Sequence, residues 1–165
     1  MERRIGEIVG QKPGPLLIYI GGLHGNEAMG LDALENSFNS FDIPLDQVCG
    51  KAIALRGNLE AIRQNIRFVS MDLNRIWDVK HFKRANDYQA AELYELQALR
   101  RVIEEELKGD YTEVFLMDLH TTSAPTIPFI VIKETEKNTE MIKNLNIPYV
   151  TGVVGYLDGT MLAWM

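Results

Sequence analysis

The fold of this chain is decided by the stretch Leu16-Leu17-Ile18-Tyr19-Ile20-Gly21-Gly22-Leu23-His24-Gly25-Asn26-Glu27. Its first five residues form a continuous apolar run, which predicts a buried strand, and a helical apolar pattern begins directly behind the last residue. Gly21, Gly22 and Gly25 relax the steric limits on a sharp turn between the two. The stretch therefore predicts a strand, a tight turn and a helix, which is the repeating unit of an α/β fold.

Strand-like and helix-like segments alternate along the rest of the chain. Further strands are predicted at residues 3–9, where the strand lies at an edge, and at 52–55, 114–119, 129–132 and 149–154. The first helix is predicted from Glu27 to before Pro44, with the apolar stripe Met29, Leu31, Leu34, Phe38 and Phe41. Three more helices are predicted: one after Gly57-Asn58 to about Ile66, one from Asn86 or Asp87 to Gly109, and one from about Thr135 to Leu145. A turn is expected at Gln11 to Pro15, and an irregular segment from about Ile66 to Arg84. This alternation predicts a three-layer α/β fold whose mixed, mostly parallel sheet carries helices on both faces.

Composition narrows the classes of protein that fit. The chain has 165 residues, 46% hydrophobic and 24% charged, which is typical of one globular domain. Its net charge of −6 argues against a generic nucleic-acid or anionic-membrane binder. Cys49 is the only cysteine, so no disulfide framework exists, and we expect it to be a small buried hydrophobe. Without a long apolar segment, we expect a soluble, cytoplasmic protein with no membrane contact.

Two histidines and a glutamate fall where predicted strands end. His24 and Glu27 follow the first central strand, and His120 follows the strand at 114–119. Carboxyl ends of parallel strands share one edge of a sheet, so these side chains can meet, and two imidazoles with one carboxylate form a catalytic zinc ligand set. The alternative is that His24 is a hydrogen-bonded turn residue and Glu27 a favourable charge in a first helical turn. His81 has no partner pattern and is interpreted as a surface residue.

Five motifs in order carry a family resemblance: the turn at 21–27, Gly57-Asn58, Arg67, Asp72-Leu73-Asn74-Arg75 and Asp118-Leu119-His120-Thr121-Thr122. Together, over roughly residues 16–165, they resemble the succinylglutamate desuccinylase/aspartoacylase family, relatives of the zinc carboxypeptidases. The resemblance implies a zinc carboxypeptidase-like fold and one Zn²⁺ per chain, held by His24, Glu27 and His120.

The same resemblance implies roles for five other residues. Arg67 would stand near the scissile carbonyl and stabilise the oxyanion, while Asn74 and Arg75 would hold a substrate carboxylate. Asp72 would orient the imidazole of His24, and Asp118 would play a similar part. The residues alone leave another interpretation open: the arginines at 56, 63, 67 and 75 form a plain basic patch, and Asp72 pairs with one of them.

The chain departs from the family pattern near its end. These hydrolases carry a catalytic glutamate on a strand several tens of residues beyond the second zinc histidine. Glu134, Glu136 and Glu140 lie in a polar, helix-like segment and are expected to face solvent. Residues 161–165 begin an apolar helix of barely one turn, which is unstable without further chain or tertiary contacts. We therefore expect residues 1–165 to be the N-terminal part of a single zinc-hydrolase catalytic domain whose remainder, with the general base, is missing.

The expected function is zinc-dependent hydrolysis of the amide bond of an N-acyl amino acid or a similar small, carboxylate-bearing molecule. One alternative is a metallocarboxypeptidase that acts on peptides. The other is a module that binds zinc or a carboxylate without catalysis. An exposed sheet edge could also drive association, so an oligomer is compatible with the sequence.

Overall fold

The computed structural model describes residues 1–83 and 90–165, and its centre is a four-stranded mixed sheet. The strands, in chain order, are β1 (Arg4–Val9), β2 (Lys12–Gly21), β3 (Cys49–Arg56) and β4 (Val114–Leu119). They lie side by side in the order β1-β3-β2-β4. β2 pairs in parallel with β3 and β4, and β1 pairs antiparallel with β3 at one edge. The predicted edge strand at 3–9 and the mostly parallel, mixed sheet are therefore confirmed.

β2 is an interior strand because its apolar residues meet a partner on each side. In the ladder, Ile18 lies between Ile53 of β3 and Leu116 of β4. The turn predicted at Gln11 to Pro15 is wrong, since the strand already begins at Lys12. The register with β3 shifts between Lys12 and Leu16, and this irregularity accommodates the Gly and Pro residues that suggested a turn.

Six helices lie in the described residues, together with a small parallel pair of strands. The helices are α1 (Ala28–Asn39), α2 (Leu59–Gln64), α3 (Val79–Lys83), α4 (Ala91–Glu106), α5 (Glu136–Ile142) and α6 (Met161–Trp164). The strand pair is β5 (Ile130–Val131) with β6 (Tyr149–Val150), and 3-10 turns occupy Leu45–Gln47, Leu73–Arg75 and Val154–Tyr156. The predicted start of the longest helix at Asn86 or Asp87 lies outside the described residues. None of the described helices combines the length and apolar character needed to cross a bilayer.

Helices cover both faces of the main sheet. Successive side chains of a strand point to opposite faces. Ile18 and Ile20 are buried in one apolar cluster with Leu96 and Leu99 of α4. On the other face, the ring of Tyr19 meets Phe38 of α1 edge to face, with centroids 6.3 Å apart. The predicted three-layer α/β fold is thus confirmed.

Two predictions about burial are wrong. Met29 belongs to the predicted apolar stripe of α1 but is 70% exposed, and the residues of this helix that are buried are Gly30, Leu31 and Leu34. Cys49 was expected to be buried but is exposed, because it lies at the first position of β3, at the end of the strand rather than in its apolar centre.

The last helix packs back onto the body of the molecule. Met161 is fully buried, and the ring of Trp164 lies 4.9 Å from that of Trp77 and 6.1 Å from that of Phe82. Thr160 caps α6 by accepting a hydrogen bond from the backbone N–H of Ala163. A helix of this length is not stable alone, and these contacts are what hold it.

Candidate metal centre

The turn after β2 brings His24 and Glu27 into the interior. Their side chains are only 5% and 7% exposed. Gly22 adopts a φ of +73°, which an L side chain rarely tolerates. A Cβ at Gly25 would lie 2.1 Å from the backbone of Ala61, so the turn can lie against α2 only with glycine there. The glycines of the motif therefore allow both the reversal of the chain and its close approach to α2.

His120 reaches the same place from the end of β4. The parallel register pairs Gly21 of β2 with Leu119 of β4, so the residues that follow them leave the sheet at one rim. Nδ1 of His120 lies 2.9 Å from Oε2 of Glu27, and Nδ1 of His24 lies 2.8 Å from Oε1 of the same carboxylate. The structure thus brings together the three side chains that the sequence analysis named.

Each imidazole is held from behind by an aspartate. Nε2 of His24 lies 3.0 Å from Oδ1 of Asp72, and Nε2 of His120 lies 2.5 Å from Oδ2 of Asp118. The aspartate on Nε2 of each ring fixes the orientation of that ring, with Nδ1 turned toward the carboxylate of Glu27. The two aspartates therefore orient both rings toward a common point.

The groups of the cluster shift one another's pKa values, most clearly those of Glu27 and His120. Burial alone would raise the pKa of Glu27, but the N–H of Thr121, which donates to Oε2 at 2.8 Å, and the charge of His120 outweigh burial and lower that pKa. Burial alone would lower the pKa of His120, but its hydrogen bond to Asp118 and the negative charges of Asp118 and Glu27 raise the pKa to about 9. The cluster thus holds an ionised carboxylate beside an imidazole that is protonated at neutral pH unless another cation takes the proton's place.

The donor set fits a divalent metal ion of the zinc type. One ligand atom from each of His24, Glu27 and His120 lies within 4.8 Å of the others. Two imidazole nitrogens and one carboxylate oxygen are the protein ligands of a catalytic zinc site, in which a fourth position is left to water or substrate. The aspartates on the far side of both rings provide the outer hydrogen bonds that such ligands normally have.

Arg67 lies at the open side of the cluster. Its side chain is 49% exposed, with Nη2 3.3 Å from Oδ2 of Asp72 and Nη1 3.7 Å from Oε1 of Glu27. The backbone N–H of Gly25 donates to the carbonyl of Arg67 at 3.2 Å, which joins this segment to the His24 turn. Asp72 therefore contacts both His24 and Arg67. Its contact with His24, which the resemblance implies, and its pairing with an arginine, which was the alternative, are present together.

The other arginines of the suggested basic patch have separate partners. Arg56 donates to Glu35 at 2.6 Å, and Arg63 pairs with Glu60 within α2. The four arginines thus do not form one patch around Arg67. His81, expected at the surface, is partly buried, and its Nδ1 lies 2.9 Å from Oδ1 of Asp78.

Asn74 and Arg75 differ in how open they are. Nδ2 of Asn74 lies 3.1 Å from Nε2 of His120 and donates to Oδ2 of Asp118 at 3.5 Å. Its Oδ1 accepts a hydrogen bond from the N–H of Met161 at 2.9 Å. Its amide therefore links the His120 side of the cluster to α6. Arg75 is exposed and donates one hydrogen bond to the carbonyl of Asn74 at 2.7 Å, so its guanidinium has further donors to offer.

Two contributors to the site are not among the residues predicted from the sequence. The backbone N–H of Thr121 holds Glu27, and no residue type could have indicated this. Glu92 is fully buried in α4 and binds the loop before Asp72. The sequence does contain a sign of the burial of Glu92. This residue precedes Leu96, Leu99 and Ile103 by four, seven and eleven positions, so its carboxylate lies on the apolar stripe of the helix.

Comparison with known proteins gives consistent similarities. A model of the succinylglutamate desuccinylase/aspartoacylase catalytic domain matches residues 13–163. The chain is 34% identical over 110 residues to a probable aspartoacylase of Acaryochloris marina, covering 66% of this chain and 35% of that protein. It is 33% identical over 82 residues to a succinylglutamate desuccinylase of Pseudomonas paraeruginosa, covering 48% of this chain and 25% of that protein.

The fold has solved counterparts. The crystal structure of succinylglutamate desuccinylase from Vibrio cholerae superposes with a TM-score of 0.75 at 16% identity, over 96% of this chain and 48% of that chain. The chain thus matches between a quarter and a half of the length of these relatives.

Proposed function

The chain belongs to the succinylglutamate desuccinylase/aspartoacylase family and has its zinc carboxypeptidase-like fold, and from this premise we propose that it forms the metal-binding part of a zinc-dependent amide hydrolase. The proposed substrate is an N-acyl amino acid or a similar small amide that carries a carboxylate. The observation that carries the proposal is the convergence of His24, Glu27 and His120 within 4.8 Å.

One Zn²⁺ bound by these three residues would polarise the scissile carbonyl and lower the pKa of a water molecule toward ~7. The protein's own part is to present the ligands in the right state. With a metal ion in place of the proton on Nδ1, Asp72 and Asp118 would keep the remaining proton of each ring on Nε2, so that Nδ1 could serve as a ligand. Glu27 is kept ionised by the N–H of Thr121.

Arg67 is proposed to stabilise the negative charge that develops on the carbonyl oxygen. Its side chain is half exposed and its guanidinium lies 3.7 Å from Glu27, so a substrate at the open side of the cluster can reach it. The loss of one such donor typically raises the barrier by ~3 kcal/mol.

Asn74 and Arg75 are proposed to orient the substrate carboxylate. A guanidinium offers a planar fork of N–H donors that matches the two oxygens of a carboxylate, and an amide adds a further donor. The exposure of Arg75 and the proximity of Asn74 to His120 support this assignment.

The general base is proposed to come from a part of the catalytic domain that residues 1–165 do not include. Glu134 and Glu136 are exposed around the start of α5, and Glu140 pairs with Lys143 on the same exposed helix. None of these three belongs to the group that could share a metal ion.

The test measures zinc binding and hydrolysis separately. Equilibrium dialysis of the 165-residue chain is expected to give one zinc per chain, and Glu27→Gln is expected to bind far more weakly. The chain alone is expected to hydrolyse N-succinylglutamate and other N-acyl amino acids poorly or not at all. Turnover that a chelator abolishes would contradict the proposal that the general base lies outside residues 1–165. Wild-type protein that binds no zinc would contradict the proposed function as a whole.

Substrate class is tested on the full-length protein that the source gene encodes. Faster hydrolysis of N-acyl amino acids than of peptides is expected. The reverse ranking would favour a metallocarboxypeptidase. Zinc binding without hydrolysis of either would favour a non-catalytic binding module.

A further inference from the structure

The loop that carries Arg67 and leads to Asp72 has little regular structure to hold it. Residues 63–70 are all exposed, and helix α2 has ended at Gln64. The next regular element is the 3-10 turn that begins at Leu73. Exposed, irregular backbone is normally the least stable part of a fold. Even so, Arg67 and Asp72 must lie within hydrogen-bonding range of the His24 turn.

A buried carboxylate beneath this loop supplies the missing order. Glu92 is 0% exposed although it is ionisable. Its Oε1 accepts hydrogen bonds from the N–H of Val69 at 2.6 Å and from Nδ2 of Asn58 at 3.1 Å. Its Oε2 accepts from the N–H of Ser70 at 3.0 Å and of Met71 at 3.2 Å. Three consecutive backbone N–H groups and one side-chain amide thus surround one carboxylate.

The second partner of Glu92 extends the contact to the His24 turn itself. Asn58 donates through Nδ2 to Glu92 and accepts through Oδ1 from the N–H of Ala61, which caps helix α2. The backbone N–H of Asn58 also donates to the carbonyl of Gly22 at 2.8 Å. Glu92 therefore contacts both structures that flank His24, which are the loop at 67–72 and the start of α2.

We propose that Glu92 is a positioning residue of the site: through the backbone of residues 69–71 and through Asn58, it holds Arg67 and Asp72 against the His24–Glu27 turn. Its partners among the described residues are Asn58 and the backbone of residues 69–71, and none of these is a proposed metal ligand. An ionised carboxylate only accepts hydrogen bonds, so it suits four N–H donors, whereas an amide would present its NH₂ group to two of them. An amide NH₂ group facing two of these donors cannot accept from them, which is why Glu92→Gln should release part of the loop.

The chain offers a matched control in Glu95, three residues later in the same helix. Its side chain is 6% exposed, and it accepts hydrogen bonds from Arg3 and from the N–H of Glu60 at 3.3 Å, not from the loop. Both variants remove a buried charge from α4. Only Glu92→Gln removes the contacts that order residues 69–71.

The experiment compares Glu92→Gln and Glu95→Gln by amide hydrogen exchange and by zinc affinity in competition with a chromophoric chelator. Glu92→Gln is expected to speed exchange at residues 69–71 and to weaken zinc binding about tenfold. Glu95→Gln is expected to lower the melting temperature without either change. Equal effects of the two variants on exchange and affinity would overturn the proposal.

Wild-type protein provides a second measurement in case Glu92→Gln does not fold. The amides of Val69, Ser70 and Met71 are expected to exchange at least about tenfold more slowly than that of exposed Phe68. Exchange at the same rate as Phe68 would overturn the proposal. The zinc measurement rests on the proposed function, but the hydrogen-exchange measurement does not. If the chain binds no zinc, the proposed function is refuted, and hydrogen exchange still decides whether Glu92 orders residues 69–71.

Discussion

At the scale of single residues, the site is built from pairs in which one group orients another. Asp72 serves two such pairs, since it contacts Nε2 of His24 and the guanidinium of Arg67. Burial alone would raise the pKa of Asp72, but the hydrogen bond and the charge of His24 outweigh burial and lower that pKa. The carboxylate is therefore ionised at neutral pH and can increase the basicity of the imidazole.

Removing that charge should weaken metal binding more than it weakens the fold. Asp72→Asn is expected to lower zinc affinity by about 10- to 100-fold, because the amide still accepts a hydrogen bond but no longer polarises the ring. The measurement is chelator competition at neutral pH. Asp78→Asn is the control, since Asp78 contacts His81 outside the cluster. Equal losses in both variants would show that Asp72 has no special role.

Gly25 tests the steric demand of the turn. Gly25→Ala would place a Cβ 2.1 Å from the backbone of Ala61, so the His24 turn must move away from α2. We expect zinc affinity to fall at least about tenfold and unfolding to require about 2 kcal/mol less, within the range of overpacking substitutions. Binding titration and chemical denaturation measure the two effects.

The control for that variant is Gly155→Ala. An added Cβ at Gly155 meets no atom of the described part of the chain within 4 Å, and its φ is not in the left-handed region. It is expected to leave both affinity and stability unchanged. An unaltered Gly25→Ala protein would mean that the turn does not depend on close contact with α2.

At the scale of elements, helix α4 connects the sheet to the site. Its apolar stripe packs on β2, and its two buried carboxylates bind the site loop and the chain's first residues. Its last residue, Glu106, joins β1 and β3 by contacts with Arg4 at 2.5 Å and Lys51 at 2.7 Å. A single helix thus holds the edge strand, the central strands and the metal-binding region together.

The Glu106 contacts make a pH-dependent contribution to stability. Burial alone would raise the pKa of Glu106, but hydrogen bonds from Lys51 and Arg4 outweigh burial and lower it below the usual 4.5. A lowered carboxyl pKa in the folded state stabilises the protein above the unfolded-state value, and this stabilisation is lost as the pH falls through the folded-state value. Glu106→Gln is expected to cost about 1–2 kcal/mol at pH 7. The difference from wild type should shrink below about pH 4.5.

Urea denaturation between pH 3 and pH 7 measures this difference. Glu105→Gln is the control, because within residues 1–83 and 90–165 Glu105 pairs only with Lys108, and its side chain is 71% exposed. Exposed pairs of this kind contribute little, so no change is expected at any pH. A difference for Glu106→Gln that stays constant with pH would contradict the assignment of the stabilisation to an ionised carboxylate.

At the scale of the whole molecule, the proposed metal ligands come from distant parts of the chain. His24 and Glu27 follow β2, whereas His120 follows β4, and only the parallel pairing of these strands brings them to one rim. The last helix reaches the same region, since the N–H of Met161 donates to Asn74. An ion bound there would join parts of the chain that lie far apart in the sequence.

Zinc is therefore expected to stabilise the folded state. At a free concentration 100 times the dissociation constant, the gain is about 2.7 kcal/mol. For a chain of this size, that corresponds to a rise in melting temperature of roughly 5–10 °C. Thermal scans with zinc, and then with excess EDTA to reverse the shift, provide the measurement. A shift of equal size in Glu27→Gln would place the ion elsewhere on the protein.

Much of this architecture follows from the sequence by itself. The apolar run at 16–20, the glycine turn and the helical pattern behind it predict a strand, a turn and a helix, because these properties depend on neighbouring residues. The order of five motifs identifies the family, and strand ends that carry His24 and His120 predict their meeting at one rim. These features are local or follow from the topology of a parallel sheet.

Only the tertiary structure decided what each remaining side chain contacts. The burial of Glu92, the engagement of Asn74 with His120 and α6, and the exposure of Cys49 depend on residues far away in the sequence. The same holds for α6, whose order comes from Trp77 and Phe82. A residue's type limits the contacts it can make, but which partner it meets depends on how distant elements pack, and no pattern of neighbouring residues contains that information.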